Sequence, residues 1–203
     1  MSVARTTPPN RREFLRVAGL SATAAGALAF AGCGGGDDES ALGVPDPRAT
    51  PQRDRAILNG ALNLENTAVA VYTVGLPLLR GAVRRHAERF RDQEREHAVA
   101  LAGLVRRMGG APNVAKPAEE YRAAFPRLRG EADFLRFATD LENVGISAYV
   151  EGIPKLKDGR LRQTVASILC DEAQHVAVLL GARGGDRPDV SVPEPFVTGK
   201  ATA

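Results

Sequence analysis

The sequence predicts an all-α protein: a four-helix bundle with one long crossover between helices 2 and 3 and internal two-fold pseudo-symmetry. Three observations carry this. Apolar residues recur at spacings of three and four through four long segments, each ended by Gly or Pro. No alternating run flanked by turn chemistry reads as a strand. The second half of the chain repeats landmarks of the first at a nearly constant offset, so two helix pairs read as copies of one another.

The elements follow in chain order. Asn10-Arg11-Arg12-Glu13-Phe14-Leu15-Arg16 precedes a mild Ala/Gly-rich run from about Val17 to Ala31. This order resembles a twin-arginine (Tat) signal. The run is too short and Gly-rich for a comfortable membrane span. Phe30-Ala31-Gly32-Cys33 resembles a lipobox, in which the cysteine is lipidated and becomes the new N-terminus. Residues 34–53 are rich in Gly, Asp, Pro and Ser and read as a flexible linker. The expected destination is the outer face of a bacterial cytoplasmic membrane or the periplasm, with a lipid anchor at Cys33. Tat export carries folded proteins, which suits a chain that loads its cofactor before export.

The helical domain is expected over 54–183. Its first stripe, from Asp54 to Leu76, is Leu58, Leu62, Glu65, Val69, Tyr72 and Leu76. The second, from about Ala82 to Met108, is Phe90, Glu94, His97, Leu101, Leu104 and Met108, stopped by Gly109-Gly110. The third, from about Glu131 to Ile153, is Leu135, Ala138, Glu142, Gly145 and Tyr149, stopped by Pro154. The fourth, from about Arg160 to Leu180, is Val165, Ile168, Glu172, His175 and Leu179, stopped by Gly181. Short links at Arg80-Gly81 and Lys157-Asp158-Gly159 make helices 1 and 2, and helices 3 and 4, antiparallel neighbours. About 20 residues from Gly110 to Gly130, at ~3.3 Å each, reach well past a helix length and form the crossover. Residues 184–203 read as an extended tail.

The repeat is specific. Leu64-Glu65-Asn66 recurs as Leu141-Glu142-Asn143, Tyr72 as Tyr149, and Gly75-Leu76-Pro77 as Gly152-Ile153-Pro154, all at an offset of 77. Glu94 and His97 recur as Glu172 and His175 at 78.

Composition narrows the function. Residues 1–32 hold Arg5, Arg11, Arg12 and Arg16 against Glu13, so the net charge of +3 leaves 23 basic and 23 acidic residues beyond them. The body therefore has no charge surplus to recruit nucleic acid, and without Trp it has few stacking groups. Two cysteines are too few for a disulfide framework or a Cys-rich zinc site. Cys170 falls off the stripe of its helix and reads as a helix-packing thiol.

Each apolar stripe carries a carboxylate at its middle. A lone buried carboxylate is costly, and four at one level repel one another. A pair of dications relieves both penalties. Glu94 with His97, and Glu172 with His175, each put a carboxylate and an imidazole on one helix face. Glu65 and Glu142 supply one carboxylate from each remaining helix. This is the di-metal carboxylate pattern, and its oxygen and imidazole donors suit two iron ions, or manganese or a mixed pair. The expected metal and catalytic residues are Glu65, Glu94, His97, Glu142, Glu172 and His175. Tyr72 and Tyr149 lie two turns from Glu65 and Glu142 on the same face. They read either as donors to the ligands, or radical carriers, or as core tyrosines with satisfied hydroxyls.

With these residues in view, the region from about Ile57 to Leu180 resembles the ferritin-like superfamily. Within that superfamily it is similar to the desiccation-related ferritin-like domain group of bacteria and plants. The residues that carry the likeness are Ala61-Leu62-Asn63-Leu64-Glu65, Glu94-Arg95-Glu96-His97, Leu141-Glu142-Asn143-Val144-Gly145-Ile146-Ser147-Ala148-Tyr149 and Asp171-Glu172-Ala173-Gln174-His175. The resemblance implies that Glu94 and Glu172 bridge two metals, with Glu65 and His97 terminal on one and Glu142 and His175 on the other. It also implies that Asp171 holds His97 through its second ring nitrogen. The matching position on helix 2 is Gln93, which makes the surroundings electrostatically asymmetric.

Two functions are expected. One is an envelope oxidoreductase that oxidises Fe(II) or reduces O2 or peroxide. Lacking a Cys-x-x-Cys module to feed in electrons, it fits ferroxidase or peroxide-scavenging chemistry better than sustained substrate oxidation. The other is a non-catalytic module stabilised by metal, structural or protective in desiccation stress. A lipid anchor on each subunit disfavours a closed storage cage. A homodimer is left open.

Overall fold

The computed structural model describes residues 50–185, 187–192 and 197–199. The expected signal, lipobox and most of the linker lie outside the described residues. Those residues form six helices and two 3₁₀ turns, with no strand among them. Helix α1 spans Pro51–Gly75, α2 Gly81–Arg107, α3 Ala118–Ala124, α4 Glu131–Gly152, α5 Gly159–Gly184 and α6 Pro188–Ser191.

Local chemistry sets the ends. The linker was expected to run through residue 53, but α1 begins at Pro51. Thr50 accepts a hydrogen bond from the Arg53 N–H at 3.2 Å, and proline at the first helical position has no donor to lose. Pro77 and Pro154 turn the ends of α1 and α4 into the 3₁₀ turns Leu76–Leu78 and Ile153–Lys155. Gly109, at φ +70, ends α2 in the left-handed region. Asp158 caps α5 by accepting from the Arg160 N–H at 2.7 Å.

Four long helices form the bundle. Tyr72 meets Glu142 and Tyr149 meets Glu65, so α1 and α4 are antiparallel. Gln93 meets Asp171 and His97 also reaches Asp171, which sets α2 against α5. The crossover carries the short helix α3, with Tyr121 and Phe125 buried against the core. Its start is sewn to α1: Asn113 donates to Asn63 Oδ1 at 3.1 Å, and Asn59 Oδ1 accepts from the Asn113 N–H at 2.8 Å. The region expected as an extended tail departs from that expectation twice. It includes α6, and residues 197–199 return onto α4, where a Cβ on Gly199 would come 2.6 Å from the Asn143 carbonyl oxygen.

The core has two apolar halves. Val71, Tyr72, Leu79, Phe90 and Phe134 belong to one, and Leu58, Leu62, Leu101, Leu156 and Val165 to the other. Each buried aliphatic side chain stabilises the fold by about 1.5–3 kcal/mol. Along every long helix the glutamates fall in the gap between the halves. The fold therefore seals a polar layer from above and below.

The pseudo-two-fold reaches the loops. Buried Asp54 accepts from the Lys157 N–H at 3.0 Å, and Glu131 accepts from the Arg80 N–H at 3.3 Å. Both pairs match at an offset of 77, so the start of α1 clamps the α4–α5 link and the start of α4 clamps the α1–α2 link.

Candidate metal centre

Glu65, Glu94, Glu142 and Glu172 are all buried, with Glu94 wholly so. Each sits on the inward stripe of its helix. His175 is 1% exposed and the His97 side chain 13%. The layer thus opens toward solvent on the His97 side.

The six residues converge as two overlapping groups. Glu65, Glu94, His97 and Glu172 each offer a donor atom within 4.8 Å of the others, and so do Glu94, Glu142, Glu172 and His175. Glu94 and Glu172 belong to both. In each imidazole Nδ1 faces the carboxylates: His97 Nδ1 lies 3.2 Å from Glu172 and 3.5 Å from Glu65 and Glu94. His175 Nδ1 lies 3.0 Å from Glu94 and 3.5 Å from Glu142.

Whether these residues suit a cation can be asked of the atoms themselves. Both oxygens of Glu94, Glu172 Oε1, and Nδ1 of both histidines are buried without a hydrogen-bond partner. The close N···O approaches satisfy ion-pair distance but not hydrogen-bond geometry. Five inward lone-pair donors of this kind are rare in a folded core, where buried polar atoms are almost always paired. A pair of shared cations would satisfy all five, and the oxygen and imidazole set suits iron or manganese.

Electrostatics point the same way. Burial, then the charges of Glu172, Glu142 and Glu65, hold the Glu94 carboxyl well above its ordinary range. Burial, then Glu142 and Glu65, do the same to Glu172. Burial alone would push His97 down, but the close carboxylates of Glu172, Glu65 and Glu94 carry it up to about 12. His175 is raised likewise by Glu142, Glu172 and Glu94 against its own burial. Glu142 is lowered despite burial, because the neighbouring His175 ring, the Glu172 carboxyl and the Tyr72 hydroxyl favour its charged form. Without a cation the layer balances its charge with protons.

The tyrosines meet candidate ligands, but across the bundle. Tyr72 of α1 donates to Glu142 of α4, and Tyr149 of α4 donates to Glu65 of α1. Burial, then the carboxylate charges, raise both phenols well above their ordinary value, so they stay protonated as donors. Asp171 Oδ2 lies 3.3 Å from His97 Nε2, and Gln93 Oε1 lies 3.3 Å from His175 Nε2.

Two features escaped sequence reasoning. Phe90 covers the His175 ring at a centroid distance of 4.1 Å. Asp54 is buried although it supplies no donor to the metal layer, and its pairing with Glu131 in the repeat was the available signal. Cys170, expected to pack between helices, is instead exposed. Its position beside Asp171 points it outward from the bundle.

A search of curated proteins finds no match to this chain. The profile of the family described as Ferritin-like domain matches residues 53–184, which begins inside α1 and ends at the last residue of α5. The match covers well over half of the 203 residues and all four helices that bear the candidate ligands, and the chain belongs to the ferritin-like domain family.

Proposed function

We propose that this chain is an exported di-iron, or di-manganese, carboxylate protein that oxidises Fe(II) or reduces O2 or peroxide at the cell envelope. The observation that carries the reading is the pair of overlapping Glu/His groups sharing Glu94 and Glu172, with five buried donor atoms left partnerless. Glu65 and His97 would complete one metal position, and Glu142 and His175 the other. When bound, the ions supply the electrons passed to O2 or peroxide.

The remaining work falls to the protein. Tyr72 and Tyr149 orient the two terminal glutamates by donating to one oxygen of each; Glu65 turns its other oxygen toward His97, while Glu142 meets Tyr72 and His175 through the same oxygen. Asp171 and Gln93 hold the outer ring nitrogens and so aim both Nδ1 lone pairs inward. The apolar halves above and below exclude bulk water. Gly145, one turn beyond Glu142, leaves open space where a side chain would otherwise project. Membrane placement through a Tat signal and lipidated Cys33 rests on the N-terminal sequence and is part of the same proposal.

Metal analysis of the exported protein tests the centre. About two equivalents of iron or manganese are expected, lost in a Glu94→Ala, Glu172→Ala variant. Stopped-flow absorbance after mixing the loaded protein with O2 or peroxide tests the activity, and no turnover with either sinks the oxidoreductase reading. The deep burial of the layer favours one alternative, a metal-stapled structural or desiccation-stress module. That alternative keeps the metal and the melting shift on chelation, but shows no reaction.

A further inference from the structure

Beside the polar layer, between α1 and α4, lies an apolar cavity of about 30 Å³. Ile57, Gly60, Ala61 and Leu64 line it from α1, and Ala148 and Tyr149 from α4. Tyr149 brings the only polar side-chain atom among its lining residues, and that hydroxyl is committed to Glu65. All the lining residues lie within α1, α4 and α5, where backbone groups bond along the helix. Gly60 and Ala148 are half-buried and mark the side nearer solvent, while Tyr149 is buried.

The fold does not require this space. The repeat relates Ile57 to Phe134, Gly60 to Phe137 and Ala148 to Val71, and in the other half these larger side chains are buried in the core. A Cβ on Gly75 would run into the Phe134 ring, whereas one on the matching Gly152 would lie 3.3 Å from Ile57 Cγ2. An unfilled space in a core forfeits packing contacts. The smaller residues at 57, 60 and 148 therefore leave a void that the matching half fills.

A cavity needs about 10–15 Å³ to hold one water, which in turn needs polar partners. This one has the room but no free partner, so it stays dry, and dry apolar cavities take up apolar guests such as xenon. Its size limits the guest to a very small molecule. Its contact with Tyr149 places that guest beside the residue that holds Glu65.

We propose that this cavity is a binding site for dioxygen, held next to the polar layer. Occupancy follows from the cavity alone; its use as a supply of oxidant rests on the oxygen-consuming reading above. Dioxygen is small and apolar. Hydrogen peroxide would lose its hydrogen bonds on entering, and has instead the approach beside His97, whose side chain is 13% exposed. No bond forms or breaks in the cavity, where the step is binding only.

The test uses dissolved O2 as the probe on the metal-free full chain. O2 is paramagnetic and speeds the nuclear relaxation of methyl groups it touches. Under rising O2 pressure the methyls of Ile57 and Ala61 should relax faster and then level off. Those of Val71 and Ala138, buried on the filled side of the repeat, should not. Ala148→Val, which installs the residue found at 71, should abolish the saturable effect without lowering the melting temperature. In the metal-loaded chain it should slow the reaction with O2 several-fold and leave that with peroxide unchanged. Equal relaxation at the two sets of methyls, or an effect that Ala148→Val leaves intact, overturns the inference while the di-metal reading stands. An unaltered O2 rate in a variant that has lost the relaxation effect overturns the supply role. If Ala148→Val does not fold, Ala61→Val, read at Ile57, is judged by the same outcomes. A parent chain that reacts with neither oxidant overturns the proposed function and the supply role together, while the relaxation data still decide whether the cavity holds dioxygen.

Discussion

Each candidate ligand trades stability for binding capacity. Glu94 and Glu172 are buried with oxygens that no protein donor satisfies. Replacing both with Gln removes two groups that must be neutralised on folding. The Glu94→Gln, Glu172→Gln double variant should melt at or above the metal-free parent and gain nothing from iron or manganese. A clear drop in metal-free melting temperature would show that these carboxylates support the fold, not the metal. The tyrosines behave oppositely. Tyr72→Phe leaves Glu142 without its phenolic donor in a buried site, and should cost about 1–3 kcal/mol in denaturant unfolding. Tyr149→Phe should cost a similar amount through Glu65, because the two contacts are related by the pseudo-two-fold. A large difference between them would mean that the halves carry load unequally.

At the scale of the element, the repeat places matching glycines at the ends of α1 and α4, but their surroundings differ. A Cβ on Gly75 would fall inside contact distance of the Phe134 ring, whereas a Cβ on Gly152 would lie 3.3 Å from Ile57 Cγ2. Phe134 and Ile57 are themselves repeat partners, so one substitution across the two-fold changed the space available. Alanine removes some chain entropy from the unfolded state at both positions. At Gly75 overpacking should outweigh that gain, costing about 1–3 kcal/mol, while Gly152→Ala should be close to neutral. Chemical denaturation of the two variants side by side checks this, and equal effects would rule out the proposed role of the Phe134 ring.

For the whole molecule, charge in the polar layer couples pH, metal and stability. His97 is raised to about 12 from an ordinary 6.5. A group raised on folding adds stability that is fully present below its unfolded value and is lost as pH rises through its folded value. The raised carboxyls of Glu94 and Glu172 act in the same direction. The metal-free fold should therefore weaken as pH climbs above about 6.5. A cation must displace these protons, so its affinity should grow over the same range. Saturation at 100 times the dissociation constant stabilises a fold by about 2.7 kcal/mol. The gap in melting temperature between metal-loaded and metal-free protein should widen from pH 6 to pH 8. A gap that stays constant or narrows would mean the layer is not protonated without metal.

Much of this was legible in the chain itself. Helix periodicity, the glycine and proline stops and the short links specify a four-helix bundle, because each acts through local backbone physics that needs no partner. The carboxylates at the middle of apolar stripes singled out the six candidate ligands, since a buried charge has few permissible explanations. Other features depend on which helices become neighbours. Periodicity put Tyr72 and Glu65 on one face of α1, yet the hydroxyl of Tyr72 goes to Glu142 on α4, because the nearest carboxylate along a helix is not the nearest across the bundle. The burial of Asp54, the return of residues 197–199 onto α4 and the link from Gln93 to both Asp171 and His175 belong to the same class. Each joins positions far apart in sequence, through distances that exist only once the four helices have closed around the layer.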